Sequence, residues 1–200
     1  MIRAVVFDLG QVLSSPPDIY SHPAGLLGVP TDDFIAAYWH GSGRREYDEG
    51  ASDEAYWGPL LTRLGVPASA ENVELLASTD ATIWTRIRPS AEQLIVDAKA
   101  SGRLIGLLSN APRPLGEAIN AAPWRRHIDR VYVSALIGAA KPKREIYDHA
   151  AADLGVAASE IAFIDDRPEN VDGALAAGWQ AHLWVDDDDT RAWLSSCGVL

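Results

Sequence analysis

Apolar positions recur along the chain in short runs separated by stretches with helical spacing. Ala4 to Asp8, Leu104 to Ser109, Arg130 to Val133, Ile161 to Asp165 and Ala181 to Val185 have the length and bounding of strands. Between them, Ser90 to Ala100, Leu115 to Ala121, Lys143 to Leu154 and Glu169 to Ala177 carry apolar residues at the intervals of a buried helix face. Each of these helices precedes one of the last four strands. That alternation predicts an α/β fold, a parallel sheet with crossover helices. Ser90 with Gln93 three residues on has the form of a capping box after Pro89, and Gly102, Gly155 and Gly178 stand where helix C-caps are expected.

The pattern changes between the first strand and the second. Residues 16–88 contain no convincing strand but keep helical patterning, with Thr31-Asp32-Asp33 and Ser52-Asp53-Glu54 as N-caps followed by acidic first turns. Ser69-Ala70-Glu71 opens a third helix before Ile83 and Trp84. The expected organisation is a core of residues 1–15 and 89–200 with a helical module, residues 16–88, inserted after the first strand. Ser14-Ser15-Pro16-Pro17 and Arg86-Ile87-Arg88-Pro89 are its Pro-containing links, where a hinge could sit. The one charge run, Asp186 to Asp189, fits a solvated loop or a helix N-terminus better than a calcium site, because no EF-hand pattern surrounds it.

Composition narrows the partners. With 200 residues, 48% of them hydrophobic, the chain can bury the core of one domain carrying an insertion. Lys and Arg number 17 against 28 Asp and Glu, a formal charge of −11 without a basic stripe, which argues against nucleic acid while leaving room for a locally positive site for a small anion. No run approaches the roughly 18 to 20 apolar residues of a membrane span, and Arg3 interrupts the start before a signal-peptide core forms, so a cytoplasmic protein is expected. A single cysteine, Cys197, excludes an internal disulfide framework and a cysteine-built zinc site; it reads as a small packing residue.

Polar residues that could carry chemistry cluster at the ends of the predicted strands. Asp8 follows the first, Ser109-Asn110 closes the second, Lys141-Pro142 comes shortly after the third, and Asp165-Asp166 ends the fourth. Singly, each has an ordinary structural explanation: a strand terminator, a turn, a surface lysine, a helix cap. Jointly they converge, because the carboxyl ends of parallel strands share one edge of the sheet, and ligands of open α/β folds bind there. Adjacent carboxylates after a buried strand repel each other, and a bound cation relieves that cost; oxygen-only ligands favour magnesium. A carboxylate nucleophile, a Ser-Asn anion clamp, a lysine and a carboxylate pair make a phosphoryl-transfer site.

The ordered motifs Val6-Phe7-Asp8-Leu9-Gly10-Gln11-Val12-Leu13, Leu107-Leu108-Ser109-Asn110, Lys141-Pro142 with Glu145-Ile146-Tyr147, and Phe163-Ile164-Asp165-Asp166 with Asn170-Val171 and Gly173-Ala174 span nearly the whole chain. In these the sequence resembles the haloacid dehalogenase superfamily of Asp-nucleophile hydrolases. Within it the chain is most similar to the branch of sugar-1-phosphate phosphatases and the N-terminal phosphatase domain of soluble epoxide hydrolases, as Tyr47-Asp48-Glu49-Gly50 also fits. The resemblance implies a Rossmann-like core, a helical cap over residues 16–88, and hydrolysis of a small phosphorylated metabolite with Mg2+. It makes Asp8 the nucleophile that becomes an aspartyl-phosphate and Lys141 the neutralising cation. Ser109 and the Asn110 backbone would bind phosphate, and Asp8, the Gly10 carbonyl, Asp165 and Asp166 would surround the metal.

Gly10 departs from the pattern. Most phosphatases of the superfamily carry a second Asp two residues after the nucleophile, which protonates the leaving oxygen. Such acid catalysis is worth about 10²- to 10⁴-fold, so the expectation is a slow phosphatase, one using another acid, or one favouring good leaving groups. The alternatives are a 2-haloacid dehalogenase-like hydrolase, which needs neither that Asp nor magnesium, and a catalytically weak binding or regulatory relative. Arg113, three residues after Asn110, is a further candidate for substrate binding, as are Asp18, Arg44, Arg45 and Tyr47. Asp18 or His22 at the entrance to the insertion could replace the missing acid. The histidines at 22, 40, 127, 149 and 182 share no metal-ligand spacing, and the seven tryptophans default to packing roles.

Overall fold

The computed structural model describes residues 1–40 and 43–200. Its strands are β1 Ala4–Phe7, β2 Leu104–Ser109, β3 Arg130–Val133, β4 Ile161–Asp165 and β5 Gln180–Leu183. They form one parallel sheet in the order β3-β2-β1-β4-β5. The central strand β1 is buried at every residue, so its run Ala-Val-Val-Phe shows no polar alternation: a mid-sheet parallel strand has no solvent face. Among the described residues five helices follow β1: α1 Ser21–Leu27, α2 Thr31–His40, α3 Arg44–Asp48, α4 Asp53–Arg63 and α5 Ala70–Trp84. The rest are α6 Pro89–Ala100, α7 Arg113–Ala121, α8 Ser134–Ile137, α9 Arg144–Leu154, α10 Pro168–Ala176 and α11 Asp187–Ser196. Among the described residues no helix is long and apolar enough to cross a membrane.

Successive side chains of β1 point to opposite faces and seed two cores. Val5 and Phe7 join Leu94 and Ile95 of α6, Leu115 and Ile119 of α7 and Leu194 of α11. Ala4 and Val6 join Ile146 and Tyr147 of α9, Ala174 of α10 and Trp179. A third cluster, with Phe34, Tyr38, Tyr47, Tyr56, Trp57 and Leu76, unites α2 to α5. The C-terminal end of α5 leaves that cluster: Ala81 and Trp84 belong to the core beside the sheet. The chain runs outward from β1 through β2 to β3, then returns to β4 on the other side, so the switch in direction falls between β1 and β4. Phe7 pairs with both Leu107 and Ile164, which brings the next residues, Asp8, Leu108 and Asp165, to one level at the carboxyl edge.

Several local expectations need correction. Ser90 is not an N-cap: Arg88 holds that position without a side-chain bond and Pro89 is the first helical residue, where its fixed φ is favoured. The Ser90 hydroxyl instead donates to Asp187 and the Gln93 amide to Asp97. The helix predicted from Leu115 begins at Arg113, again with a proline, Pro112, at its cap. Ser52 and Ser69 do cap α4 and α5, accepting from the N–H groups of Ala55 and Asn72. Asp186 caps α11 by accepting from Asp189 N–H at 2.7 Å, so the acidic run is a helix N-terminus. The short helices α1 and α3 fall outside the helices read from the sequence.

α10 lies tightly under the loop that carries Lys141. A Cβ placed on Gly173 would stand 2.8 Å from the Pro142 carbonyl oxygen and 3.0 Å from the Tyr147 hydroxyl, so only glycine fits without moving that loop. Gly173→Ala is expected to destabilise the protein by about 1–3 kcal/mol in urea unfolding. Gly58→Ala, in α4 with open space around it, is the control and should be neutral or stabilising. Equal effects of the two would remove the close approach as the cause.

Candidate active site

Lys141 ties the strand ends together. Its Nζ donates to Asp8 Oδ1 at 2.7 Å, to the Leu108 carbonyl at 2.8 Å and to Asp165 Oδ2 at 2.6 Å. An ammonium has three donors, and all three are used inside a buried site. Asn110 fixes the lysine backbone from β2: its Nδ2 donates to Lys141 O and its Oδ1 accepts from Lys141 N–H, both at 2.8 Å. The second oxygen of Asp165 accepts from Asn170 Nδ2 and from the Arg167 N–H, each at 2.9 Å. Asp165 is therefore fully engaged in positioning its neighbours.

Burial pushes the Asp8 carboxyl up to about 7; the Lys141 ammonium opposes the rise and Asp165 adds to it. Desolvation and then Asp165 raise Asp166 as well. Burial works against the Lys141 charge, but Asp165 and Asp8 outweigh it and hold its pKa above the ordinary lysine value. Asp8, Asp165 and Asp166 each present a carboxylate oxygen within 4.8 Å of the others. Three close carboxylates against one ammonium leave net negative charge, the donor chemistry of a hard divalent cation.

A cavity of about 290 Å³ opens above this cluster. Asp8, Gly10, Ser109, Asn110, Lys141 and Asp166 lie along it, so most of the sequence-predicted site comes together. Arg113 does not: it is the first residue of α7, exposed, and does not line the cavity. The helix starts two residues earlier than its apolar pattern indicated, and the side chain faces outward. Asp18 is also elsewhere, held by the two terminal guanidinium nitrogens of Arg86 at 2.6 and 3.2 Å, and His22 lies beside a separate shallow depression. Tyr47 is packed in the helical cluster, donating to Asp53, and Arg45 lies in an outer basin paired with Glu49. Of the histidines, the side chain of His40 lies outside the described residues.

The insertion contributes residues to which sequence reasoning gave little weight or none. Arg44 lines the cavity, held by Asp48 through Nε at 3.2 Å and Nη2 at 3.1 Å and bonded to the Tyr38 hydroxyl. Trp39 and Trp84 line it too, and Arg167 and Asn170 complete the core side. Asn170 sits in the fourth motif and its link to Asp165 was within reach of spacing arguments. Nothing local marks Trp84, which ends a helix like many aromatic residues.

A model of the haloacid dehalogenase-like hydrolases matches residues 2–178, and the chain belongs to that family. It is 27% identical over 179 residues to a sesquiterpene phosphatase from Aspergillus oryzae, covering 88% of this chain and 86% of that one. In three further curated relatives the match covers 36%, 58% and 40% of the relative's length. The fold is similar to that of an enzyme of the same family from Bacteroides thetaiotaomicron, solved with magnesium and inorganic phosphate, at a TM-score of 0.70 and 17% identity over 92% of this chain and 94% of that one. It is likewise similar to an L-2-haloacid dehalogenase from Xanthobacter autotrophicus with covalently bound chloropropionic acid, at a TM-score of 0.75 and 19% identity, over 100% and 85% of the two chains.

The Asp8 carboxyl titrates near 7 in the folded protein against an ordinary value of 3.8. Between those values the native state keeps a proton that the unfolded chain has released, so metal-free stability should fall as pH rises through the interval. Urea midpoints measured in chelator from pH 5 to 8 should decline, and Asp8→Asn should make the decline shallower. An identical decline in the variant would assign it to other groups.

Proposed function

We propose that the protein is a magnesium-dependent phosphomonoesterase that works through an aspartyl-phosphate on Asp8. The observation that carries this reading is the buried Asp8 carboxylate at the cavity floor, oriented by Lys141 and flanked by Asp165 and Asp166. The family match and the sesquiterpene phosphatase relative support it, as does the neighbour solved with magnesium and phosphate. Asp8, Asp166 and the Gly10 carbonyl would hold the cation, with Asp165 behind them securing Lys141. Bound there, magnesium would offset the repulsion between the Asp8 carboxylate and a phosphate dianion.

The residues divide the work as follows. An Asp8 oxygen attacks phosphorus, the bond from phosphorus to the ester oxygen breaks, and the departing oxygen takes up a proton. Water then attacks the same phosphorus, the Asp8 carboxylate departs, and phosphate is released. Lys141 compensates charge on Asp8 throughout, while Ser109 and backbone N–H groups after β2 hold phosphate oxygens. Residues 16–88 act as a cap: Trp39, Arg44 and Trp84 close the cavity from above, and the Pro-containing links at 14–17 and 86–89 let it open.

Phosphate release from small phosphomonoesters, including sugar 1-phosphates and acetyl phosphate, should require magnesium and fall by a factor on the order of 10⁴ or more in Asp8→Asn. Magnesium at millimolar concentration should also raise the melting temperature of the wild-type protein by mass action. Chloride release from 2-chloropropionate in chelator, without phosphate release from any ester, would replace this reading with the dehalogenase one.

A further inference from the structure

The motif Tyr47-Asp48-Glu49-Gly50 of the insertion brings a carboxyl group to the cavity that holds Asp8. Asp48 is the last residue of α3, and its backbone is tied to the core, where the Ser134 hydroxyl donates to its carbonyl. Its side chain lines the cavity together with Gly10 and Asp166. One oxygen, Oδ2, accepts from Arg44 Nε at 3.2 Å. The other, Oδ1, is buried and accepts no hydrogen bond; Arg44 Nη2 stands 3.1 Å from it as an ion-pair contact only. A buried carboxylate oxygen without a donor is unfavourable, and a proton on that oxygen removes the penalty.

The charges around Asp48 favour that proton. Arg44 faces two buried carboxylates, Asp48 at 3.1 Å and Asp80 at 3.9 Å, so one positive charge stands against two negative ones. Asp80 has the Tyr38 hydroxyl as a donor at 2.9 Å and can keep its charge. Asp48 Oδ1 has none. From the core side Arg167 also acts on Asp48, with Glu169 at 3.3 Å drawing on the same guanidinium. Burial lifts the Asp48 carboxyl above its ordinary value against the pull of Arg44, and Asp80 adds to the rise.

The other groups at the cavity are committed. Asp8 and Asp166 serve phosphorus and the cation, and Lys141 has used its three donors. The guanidinium groups of Arg44 and Arg167 stay protonated at any working pH. Among the described residues lining the cavity, Asp48 is the carboxyl group left over.

Resting on the phosphatase reading above, we infer that Asp48 is the general acid of this site, supplied by the insertion in place of the side chain that Gly10 lacks. As the bond from phosphorus to the ester oxygen breaks, the electron pair stays on that oxygen and the Asp48 proton passes to it. A neutral alcohol leaves, and Asp48 becomes a carboxylate held by Arg44. The water that then attacks the phosphorus of the aspartyl-phosphate gives a proton back to Asp48, which restores the carboxyl group. The donor stands on α3 and the nucleophile after β1, so departure of a basic alcohol needs the insertion and the core together.

The test compares alkyl and phenyl phosphates with acetyl phosphate, whose leaving group needs no proton, by kcat/KM, which covers the reaction up to departure of that group. With magnesium present, kcat/KM of the wild-type protein should depend little on leaving-group basicity. Asp48→Asn should lower it for the alkyl ester by about 10²- to 10⁴-fold, the usual worth of a general acid, and for acetyl phosphate by no more than about three-fold. Equal changes for the two substrates in Asp48→Asn would overturn the inference. A steep fall of the wild-type kcat/KM with leaving-group basicity would overturn it as well, even where the variant does not fold. Both results leave the phosphatase standing. Release from no substrate, acetyl phosphate included, would overturn the phosphatase reading itself and this inference with it.

Discussion

The arrangement depends on one buried ammonium. Lys141 reaches from a loop after β3 to the ends of β2, β1 and β4 at once, bonding a backbone carbonyl and two carboxylates at the same level of the sheet. Parallel register alone would set Asp8 beside Asp165 and leave two desolvated negative charges facing each other. With the lysine between them, each charge compensates its neighbours, and removing one partner of such a buried set costs about 3–5 kcal/mol because the remaining charge is stranded. The same bond fixes which Asp8 oxygen faces the lysine and which faces the cavity. Structure and the proposed chemistry therefore share a constraint: what keeps the strand ends together also orients Asp8, the proposed nucleophile.

The surrounding elements serve that tie. Asn110 clamps the lysine backbone with paired hydrogen bonds, Asn170 and the Arg167 amide take the free oxygen of Asp165, and Gly173 lets α10 come close enough to support Pro142. On the opposite side, Arg44, Tyr38 and Asp80 form a second buried polar network that orients Trp84. The two networks meet at Gly10, where the core supplies a backbone without a side chain and α5 supplies the ring that covers it. The insertion also touches the core through the Ser134 hydroxyl, which donates to the Asp48 carbonyl, and through the Lys143–Glu49 ion pair at 2.8 Å.

Much of this was legible in the sequence because it follows from periodicity and strand ends. Five strands and four crossover helices were marked by apolar runs, and Asp8, Ser109, Asn110, Lys141, Asp165 and Asp166 declared themselves by standing where parallel strands stop. Two kinds of feature escaped. Helix starts governed by proline were misjudged, so Ser90 was credited with a capping role and Arg113 with a place in the site; the first apolar residue of a helix does not reveal its first turn. The cavity wall from the insertion escaped more completely. α3 is too short to show a period, and Trp84 acquires its role only when the end of α5 folds back onto the core, a long-range contact with no local signature. Arg44 was one candidate among several, and its pairing with Asp48 in the next turn, together with its position against four aromatic rings, is what separates it from the rest.

The central claim put to the test is that water attacks phosphorus, not the carboxyl carbon of Asp8. A turnover of an aryl phosphate in heavy-oxygen water, followed by mass analysis of both the released phosphate and the peptide containing Asp8, reads this directly. The account predicts the heavy atom in phosphate and none in Asp8. Heavy oxygen accumulating in the Asp8 carboxylate would contradict it, since that label enters only when water attacks the acyl carbon of an Asp8 intermediate.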